Sequence, residues 1–564
     1  MSRFKHYPER PKRLTAAFAK TQYAKLLARL PAAEAAKTAD QWLELFIDWN
    51  ALKSYIGSEG SRISHTYCKD MNDRKAEMAD KYFREKIALV IDEPEHTLTK
   101  AFLASRHRDT LAKRYGRQLI PVYKSALKPL DPINTLLSVK TGQLAVKYEK
   151  LYAKATVEIN GKIMALPQAA SLLSSPDEKL RKDVYLKTRG WVLKNHAKLS
   201  KIYKDLIKLR NQMGRNVGYK DFILLGYESM GRTDYGLKEV EKFRKNVRQY
   251  VVPLRKKLNA QKAKALGVKN LRPWDGYDPE HTLPIGIAPV DKQLDNAQKL
   301  FDSLSPVFGQ HFKNMRRSKL IDLEGRKGKR TNPYCTSFSD EGKVEILCYS
   351  TGNASDVSTL VHEMGHAIQS LESRSIKAVD LQSGTADVCE IESMGMEFLV
   401  LPHINIFFDK ENTAKFKFNR WEEVIYVLCY VCIVDEFQHW AYQNPGASAD
   451  ELDNKWGELN ETYLPGTDYT GYEGYRATRW YLQVHVFSAP FYYIDYALAE
   501  TGAIQLALLD RQDHQKVMDT YLKLCRLGGT KSFLSTFKAA DLRSPFEPEL
   551  MKEIMELAQE EMNI

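Results

Sequence analysis

The segment Leu360-Val361-His362-Glu363-Met364-Gly365-His366 contains His-Glu-x-x-His, and no other stretch constrains the chain so tightly. Residues four apart on an α-helix lie about 40° apart around its axis, so His362 and His366 project from one face, one turn apart. That geometry suits two imidazole ligands on a single Zn²⁺, with Glu363 beside them to take a proton from metal-bound water. An amphipathic helix whose two histidines merely share a face would carry the same five residues. The surrounding sequence favours the metal.

A catalytic zinc takes three protein ligands and keeps a fourth position open. Residues 383–398 read as a helix with carboxylates at Asp387, Glu390, Glu392 and Glu397. Glu390 and Glu397 are seven apart and share a stripe with Ser393 and Met394, which turns both inward. Glu392 points about 160° away from Glu390. We expect Glu390 as the third ligand, Glu397 as a carboxylate holding a ligand histidine, and Asp387 and Glu392 in solvent.

The rest of the 564-residue chain is long enough for a catalytic body and a second lobe. With 43% apolar and 27% charged residues it is a folded soluble protein. Its net charge of +13 is scattered, and the short basic clusters at 316–319 and 326–330 are not interleaved with aromatics. Nucleic-acid binding is therefore not expected. Seven irregularly spaced cysteines do not form a disulfide framework. The basic start, residues 1–8, has no following apolar run. The longest apolar run, Val424 to Val434, is too short to cross a bilayer. A cytoplasmic enzyme without membrane attachment is the expectation.

Helical periodicity dominates. Leu237, Val240, Phe243, Val247 and Tyr250 step by three or four, with Pro253 as a stop. Residues 136–152 and 177–213 read likewise, the second capped by Asp177. Asn160-Gly161 between 156–159 and 162–164 signals a hairpin. Residues 344–349 read as extended, and the metal helix starts near Ser355-Asp356, where either side chain would cap it. We place the boundary at 195, separating an N-terminal helical region, 1–195, from a catalytic region, 196–564.

Several ordered motifs add to the metal helix: Met230-Gly231-Arg232-Thr233-Asp234-Tyr235, Pro333-Tyr334-Cys335-Thr336, Gly352-Asn353-Ala354-Ser355-Asp356-Val357, Cys389-Glu390-Ile391-Glu392-Ser393-Met394, Val434-Asp435-Glu436-Phe437-Gln438-His439-Trp440 and Pro490-Phe491-Tyr492-Tyr493-Ile494-Asp495-Tyr496. Through them the chain resembles the oligoendopeptidase F branch of the thimet oligopeptidase family of zinc peptidases, over roughly residues 140–550. The resemblance implies a mainly α, two-lobed gluzincin metallopeptidase with a deep substrate channel and a small β-sheet near the site. It implies one Zn²⁺ per chain, with Glu390 as third ligand, and short unstructured peptides as substrates. It also implies that His485, with Tyr493 and Tyr496, faces the metal and stabilises an oxyanion. The tyrosine that relatives carry on a glycine-rich loop has no clear counterpart at 488–490, and Tyr472 and Tyr475 are the candidates for it. For the other aromatics near 487–492, core packing is the expectation.

Other signals are discounted. Cys429 and Cys432 have redox-pair spacing but sit in an apolar helix, where packing is expected. His439 with Glu436 offers only two ligands, so a structural hydrogen bond is expected. Residues 344–350 are expected to form an edge that a peptide joins as an added strand. A peptidyl-dipeptidase or metallocarboxypeptidase of the same zinc class would share the catalytic groups but add cations for a substrate carboxylate. A peptide-binding protein without turnover, or a helical scaffold of no catalytic role, are the alternatives of a different class. Cleavage preference and oligomeric state are not written in the sequence.

Overall fold

Side-chain caps start helices where the sequence supplies them. Asp177 accepts the backbone N–H groups of Lys179 (2.9 Å) and Leu180 (3.3 Å) and opens the helix Glu178–Asn216, satisfying two donors that have no partner inside the helix. This helix runs unbroken through residue 195. Thr135–Ala153 is helical, as the periodicity predicts. Asn160 and Gly161, at φ 50° and 75°, turn β1 (Thr156–Ile159) back onto β2 (Lys162–Ala165). Two consecutive positive φ values are what an Asn-Gly pair tolerates. The structure, a computed structural model, describes residues 10–283 and 289–564; the basic start at 1–8 lies outside them.

Pro253 does not end a helix. The segment Leu237–Asn246 passes through one wide π turn, Val247–Val251, into Val252–Ala265. The π turn shifts the hydrogen-bond ladder by one residue, so Pro253 falls in the first turn of the next segment, where its missing donor costs little.

Two main cores form. One gathers residues between Leu14 and Tyr123, joined by Ala378 and Leu381. The larger extends from Tyr148 to Met562 and includes the helix of the His-Glu-x-x-His motif. The chain is mainly helical, and its sheets are small. In the second sheet the order is β3 (Ile321–Asp322), β5 (Lys343–Leu347), β4 (Tyr334–Phe338), with β5 parallel to β3 and antiparallel to β4. The stretch 344–350 is therefore not the expected edge. Val344, Ile346 and Leu347 are all buried, the pattern of a strand covered on both faces. The outer strands are β4 and the two-residue β3.

The N-terminal helix Asp40–Lys69 braces the catalytic region on either side of the motif helix, at 377–380 and at 340–345. Lys53 Nζ lies 2.5 Å from Asp380 Oδ2, to which Tyr123 also donates (2.7 Å). Asn50 donates to Lys377 O (3.0 Å) and accepts the N–H of Val379 (2.8 Å). More than two turns further along, Arg62 reaches Asp340 (2.6 Å), and His65 and Lys69 reach Glu345 on β5 (2.7 and 2.9 Å). One helix, Lys410–Gln443, is long and apolar enough to cross a membrane, but 78% of its apolar window is buried within the protein.

The hydrogen bond from His65, aided by Lys69 and opposed by burial, lowers the Glu345 carboxyl to about 2. Its folded value lies below the ordinary one, so its stabilisation is full above about pH 4.3 and is lost as pH falls through about 2. Glu345→Gln is expected to lower Tm at neutral pH by a margin that shrinks across that window. A margin independent of pH, followed by circular dichroism melts, would refute the assignment.

Candidate active site

The motif helix, Ser355–Ser373, begins without a side-chain cap: its N-cap is Ala354. Asp356 instead accepts from Ser350 Oγ (2.6 Å), Thr351 N (2.9 Å) and Gly352 N (2.8 Å). It ties down the loop entering the helix rather than the helix's own first donors. The second helix, Ala386–Leu399, packs directly across it. Gly365 permits this approach, because a Cβ there would stand 2.6 Å from Ser393 Cα and 2.8 Å from the Glu392 carbonyl oxygen.

At that separation three donors converge. Glu390 Oε2 lies 3.4 Å from His362 Nε2 and 3.7 Å from His366 Nε2, and all three ligand atoms fall within 4.8 Å of one another. Arms of about 2.0–2.1 Å in a tetrahedral zinc site give donor separations of about 3.4 Å. The residues present thus fit one zinc ion. Among the described residues no other cluster of histidine, cysteine or carboxylate has this geometry.

The donors are held from behind. His362 Nδ1 donates to Glu397 Oε1 (2.7 Å), which leaves Nε2 free for an ion. Glu397 Oε2 pairs with Arg420 Nε (3.0 Å), and Arg420 Nη2 pairs with Glu500 (2.6 Å). Ser393 Oγ donates to Glu390 (3.0 Å). Burial pulls the His362 imidazole down, but Glu390 and Glu397 outweigh it and raise the net value. His366 has less compensation, and burial carries it to about 4. Glu390 and Glu397 fall below the ordinary carboxylate range despite burial, through the histidines for the first and Arg420 for the second.

Glu363 is buried at 5% exposure, with one carboxylate oxygen lacking any hydrogen-bond partner among the described residues. Burial raises it to about 7, against His362 and a hydrogen bond from the Cys335 backbone on β4. Two other carboxylates depart from expectation. Asp387 and Glu392 are not in solvent; each is 1% exposed. Asp387 accepts from Tyr235 Oη (2.7 Å). Neither oxygen of Glu392 has a hydrogen-bond partner among the described residues, and burial lifts its carboxyl well above the ordinary range. The helix His514–Leu527 packs over Glu392, and its Tyr521 donates to the Glu392 carbonyl (2.7 Å).

His362, Met394, Glu397, Arg420, His485, Tyr493 and Tyr496 line one cavity of about 360 Å³. His485 Nδ1 accepts from Gln483 Nε2 (2.8 Å), and Tyr430 Oη donates to Gln483 Oε1 (2.9 Å). With the Gln483 amide donating to Nδ1, the His485 ring proton sits on Nε2. Burial lowers the imidazole further toward its neutral form. Tyr492 donates to Tyr496 (3.2 Å). Burial pushes Tyr492 and Tyr493 up to about 12 and Tyr496 higher still, so all three keep their protons. Tyr472 is not in this cavity; it packs edge-on against Trp274 (5.1 Å). Phe487 and Phe491 are fully buried.

The flanking motifs support the site from outside it. Arg232 donates to Phe491 O and Asp495 (2.6 Å), and Gln438 accepts the Phe491 N–H (3.1 Å). Together they hold Phe491 at φ 65°, a costly value for a bulky residue, and so fix the start of the helix Ile494–Asp510 that carries Tyr496. His439 bonds Tyr227 (3.0 Å) and the Asp435 carbonyl (2.8 Å), and Glu436 pairs with Arg248 (3.0 Å). Both are structural, as expected, and Cys429 and Cys432 are fully buried packing residues. Arg420, Glu500 and Gln483 escape sequence reasoning. No spacing rule links them to the motif.

A His-His-Glu donor set with a free carboxylate beside it, in a helical fold, is the architecture of a metallopeptidase. Residues 171–556 match Peptidase family M3 and residues 8–129 match the Peptidase M3 N-terminal domain; the chain belongs to peptidase family M3. It is 24% identical over 286 residues to an oligoendopeptidase F homolog of Lactococcus lactis subsp. lactis, covering 48% of this chain and 46% of that protein. The match thus spans about half the length of that curated relative. A homolog from Mycoplasma genitalium is 23% identical over 420 residues, covering 66% and 64%. Among solved structures, PZ peptidase A with an inhibitor superposes with a TM-score of 0.90 at 30% identity, covering 99% of both chains. A putative oligoendopeptidase F from Bacillus anthracis gives 0.86 at 28%, covering 100% and 98%.

Gly365→Ala is expected to force the two helices apart and cost about 1–3 kcal/mol, read as a lower midpoint in urea unfolding. An unchanged midpoint would show that the close approach is not a constraint.

Proposed function

We propose that the protein is a zinc-dependent oligoendopeptidase that hydrolyses internal bonds of short, unstructured peptides. The observation that carries the reading is the convergence of His362, His366 and Glu390 at tetrahedral spacing beside the unpartnered oxygen of Glu363. Zinc, when bound there, would polarise the scissile carbonyl and lower the pKa of its water toward about 7.

The chain's own groups do the rest. Glu363 takes the proton of the attacking water and delivers it to the leaving amine. His485, through Nε2–H, and the protonated hydroxyls of Tyr493 and Tyr496 donate to the developing oxyanion. Glu397, held by Arg420, fixes the tautomer and orientation of His362. The free edge of β4, which runs beside Glu363, is where an extended peptide would add as a strand. All proposed catalytic and metal residues lie in the region 196–564, and the region 1–195 braces it. Seven unpaired thiols and the burial of the apolar helix Lys410–Gln443 support a cytoplasmic location and a protein free of membranes.

Hydrolysis of an internally quenched peptide blocked at both ends is expected to be abolished by a chelator and restored by zinc. Glu363→Gln is expected to retain zinc and lose about 10²–10⁴-fold in turnover. Normal turnover in a metal-loaded variant would refute its role. Glu397→Ala is expected to weaken zinc binding about 10–100-fold, measured by competition with a chromogenic chelator.

A further inference from the structure

The charges around the metal cavity do not balance. Glu397, Glu423 and Glu500 line it against one guanidinium, that of Arg420, and burial holds the His485 imidazole toward its neutral form. Two of the three carboxylates are engaged. Arg420 Nε pairs with Glu397 (3.0 Å) and Nη2 with Glu500 (2.6 Å), and Glu397 also accepts from His362. Glu423 is the third. It makes no hydrogen bond or ion pair with any of the described residues, although it stands three positions after Arg420 on the same helix.

The Glu423 side chain is exposed, and its exposure opens into the cavity. A glutamate on an open surface needs no partner, because bulk water solvates it. Here the cavity wall takes the place of part of that water. Its crowding raises the Glu423 carboxyl against the pull of Arg420, the behaviour of an anion short of counter-charge. A cation arriving beside it gains more than it would on an open surface, where the dielectric is higher.

The wall leading to Glu423 is apolar. Val427 and Val431 follow it at intervals of four, so the three form one stripe along Lys410–Gln443, about 12 Å from end to end. Met394, from the helix that carries Glu390, lines the same cavity. A run of methylenes lying on this wall, ending in a positive charge at Glu423, is the shape of a lysine or arginine side chain. An aliphatic side chain would cover the wall and leave the carboxylate unpaired, and an acidic one would meet like charge. His362, His485 and Tyr496 line the catalytic end of the cavity, so a side chain held here belongs to a residue next to the bond that is cut.

We propose that this cavity is a specificity pocket for a basic side chain, lysine or arginine, of a residue flanking the scissile bond, and that Glu423 pairs with its charge. This rests on the peptidase reading and narrows its substrate class to peptides with a basic residue at the cleaved bond.

The test uses zinc-loaded protein and internally quenched peptides blocked at both ends, with lysine, norleucine or glutamate placed in turn at each position beside the bond. At one position lysine is expected to give a kcat/KM about tenfold above norleucine, mainly through KM, with glutamate below both. In Glu423→Gln the ratio of lysine to norleucine is expected to collapse to about one, and in Glu423→Lys the order of lysine and glutamate is expected to reverse. Binding of the same peptides to Glu363→Gln protein, followed by fluorescence anisotropy, reads the preference without turnover. If no peptide is cleaved yet lysine binds tighter than norleucine, and Glu423→Gln abolishes the difference, the peptidase reading fails and the pocket stands. Cleavage with no preference for lysine at either position would overturn the pocket and leave the peptidase reading intact. A lysine preference that survives in Glu423→Gln would overturn it as well, as would a Glu423-dependent preference for a free N-terminal amine with none for lysine.

Discussion

The close approach of two helices at Gly365 governs the rest of the site. A side chain at that position would collide with the backbone at 393. Without one, Glu390 comes within 3.4 and 3.7 Å of the two imidazole nitrogens. On the reverse face, beneath the helix His514–Leu527, the Glu392 carboxyl has no hydrogen-bond partner among the described residues. A buried carboxyl of this kind is costly, and the surrounding packing carries that cost in exchange for the spacing of the donors. Behind them, the alternation of Glu397, Arg420 and Glu500 gives each buried charge an opposite neighbour.

Charge is distributed unlike the composition. The protein carries an excess of 13 positive charges, yet the cavity beside the metal donors is dominated by carboxylates. Net charge describes the far field; what meets a ligand is decided by a few side chains on three helices, Glu397, Glu423 and Glu500 among them. On Lys410–Gln443, Arg420, Glu423, Val427 and Val431 line this cavity, and Tyr426 and Tyr430 line a second one.

Much of this was legible in the sequence because it is periodic. A spacing of four fixed His362 and His366 on one face, and a spacing of seven paired Glu390 with Glu397. Asp177 as a cap and Asn160-Gly161 as a turn are local chemistry and read correctly. The errors came where tertiary structure overrides local rules. Pro253 passes for a stop until a π turn relocates it. Residues 344–350 resemble an edge until β3 is found on their far side. Asp387 and Glu392 look solvated because nothing local announces the helix that covers them. Arg420 and Glu500 were invisible for another reason: their partners lie tens of residues away, and no pattern encodes such pairings; Gln483 lies only two residues from His485, but its role needs Tyr430, 53 residues away.

The docking of Asn50 onto the segment 377–379 joins residues 327 apart in the chain. During synthesis, the N-terminal helices leave the ribosome long before the segment they hold exists. That segment connects the two helices that supply the metal donors, so the donors reach their final spacing only when a late piece of chain settles on an early one. Closing so large a loop belongs to the slow end of folding. A metal held by these donors would therefore meet its full set only in a chain already assembled.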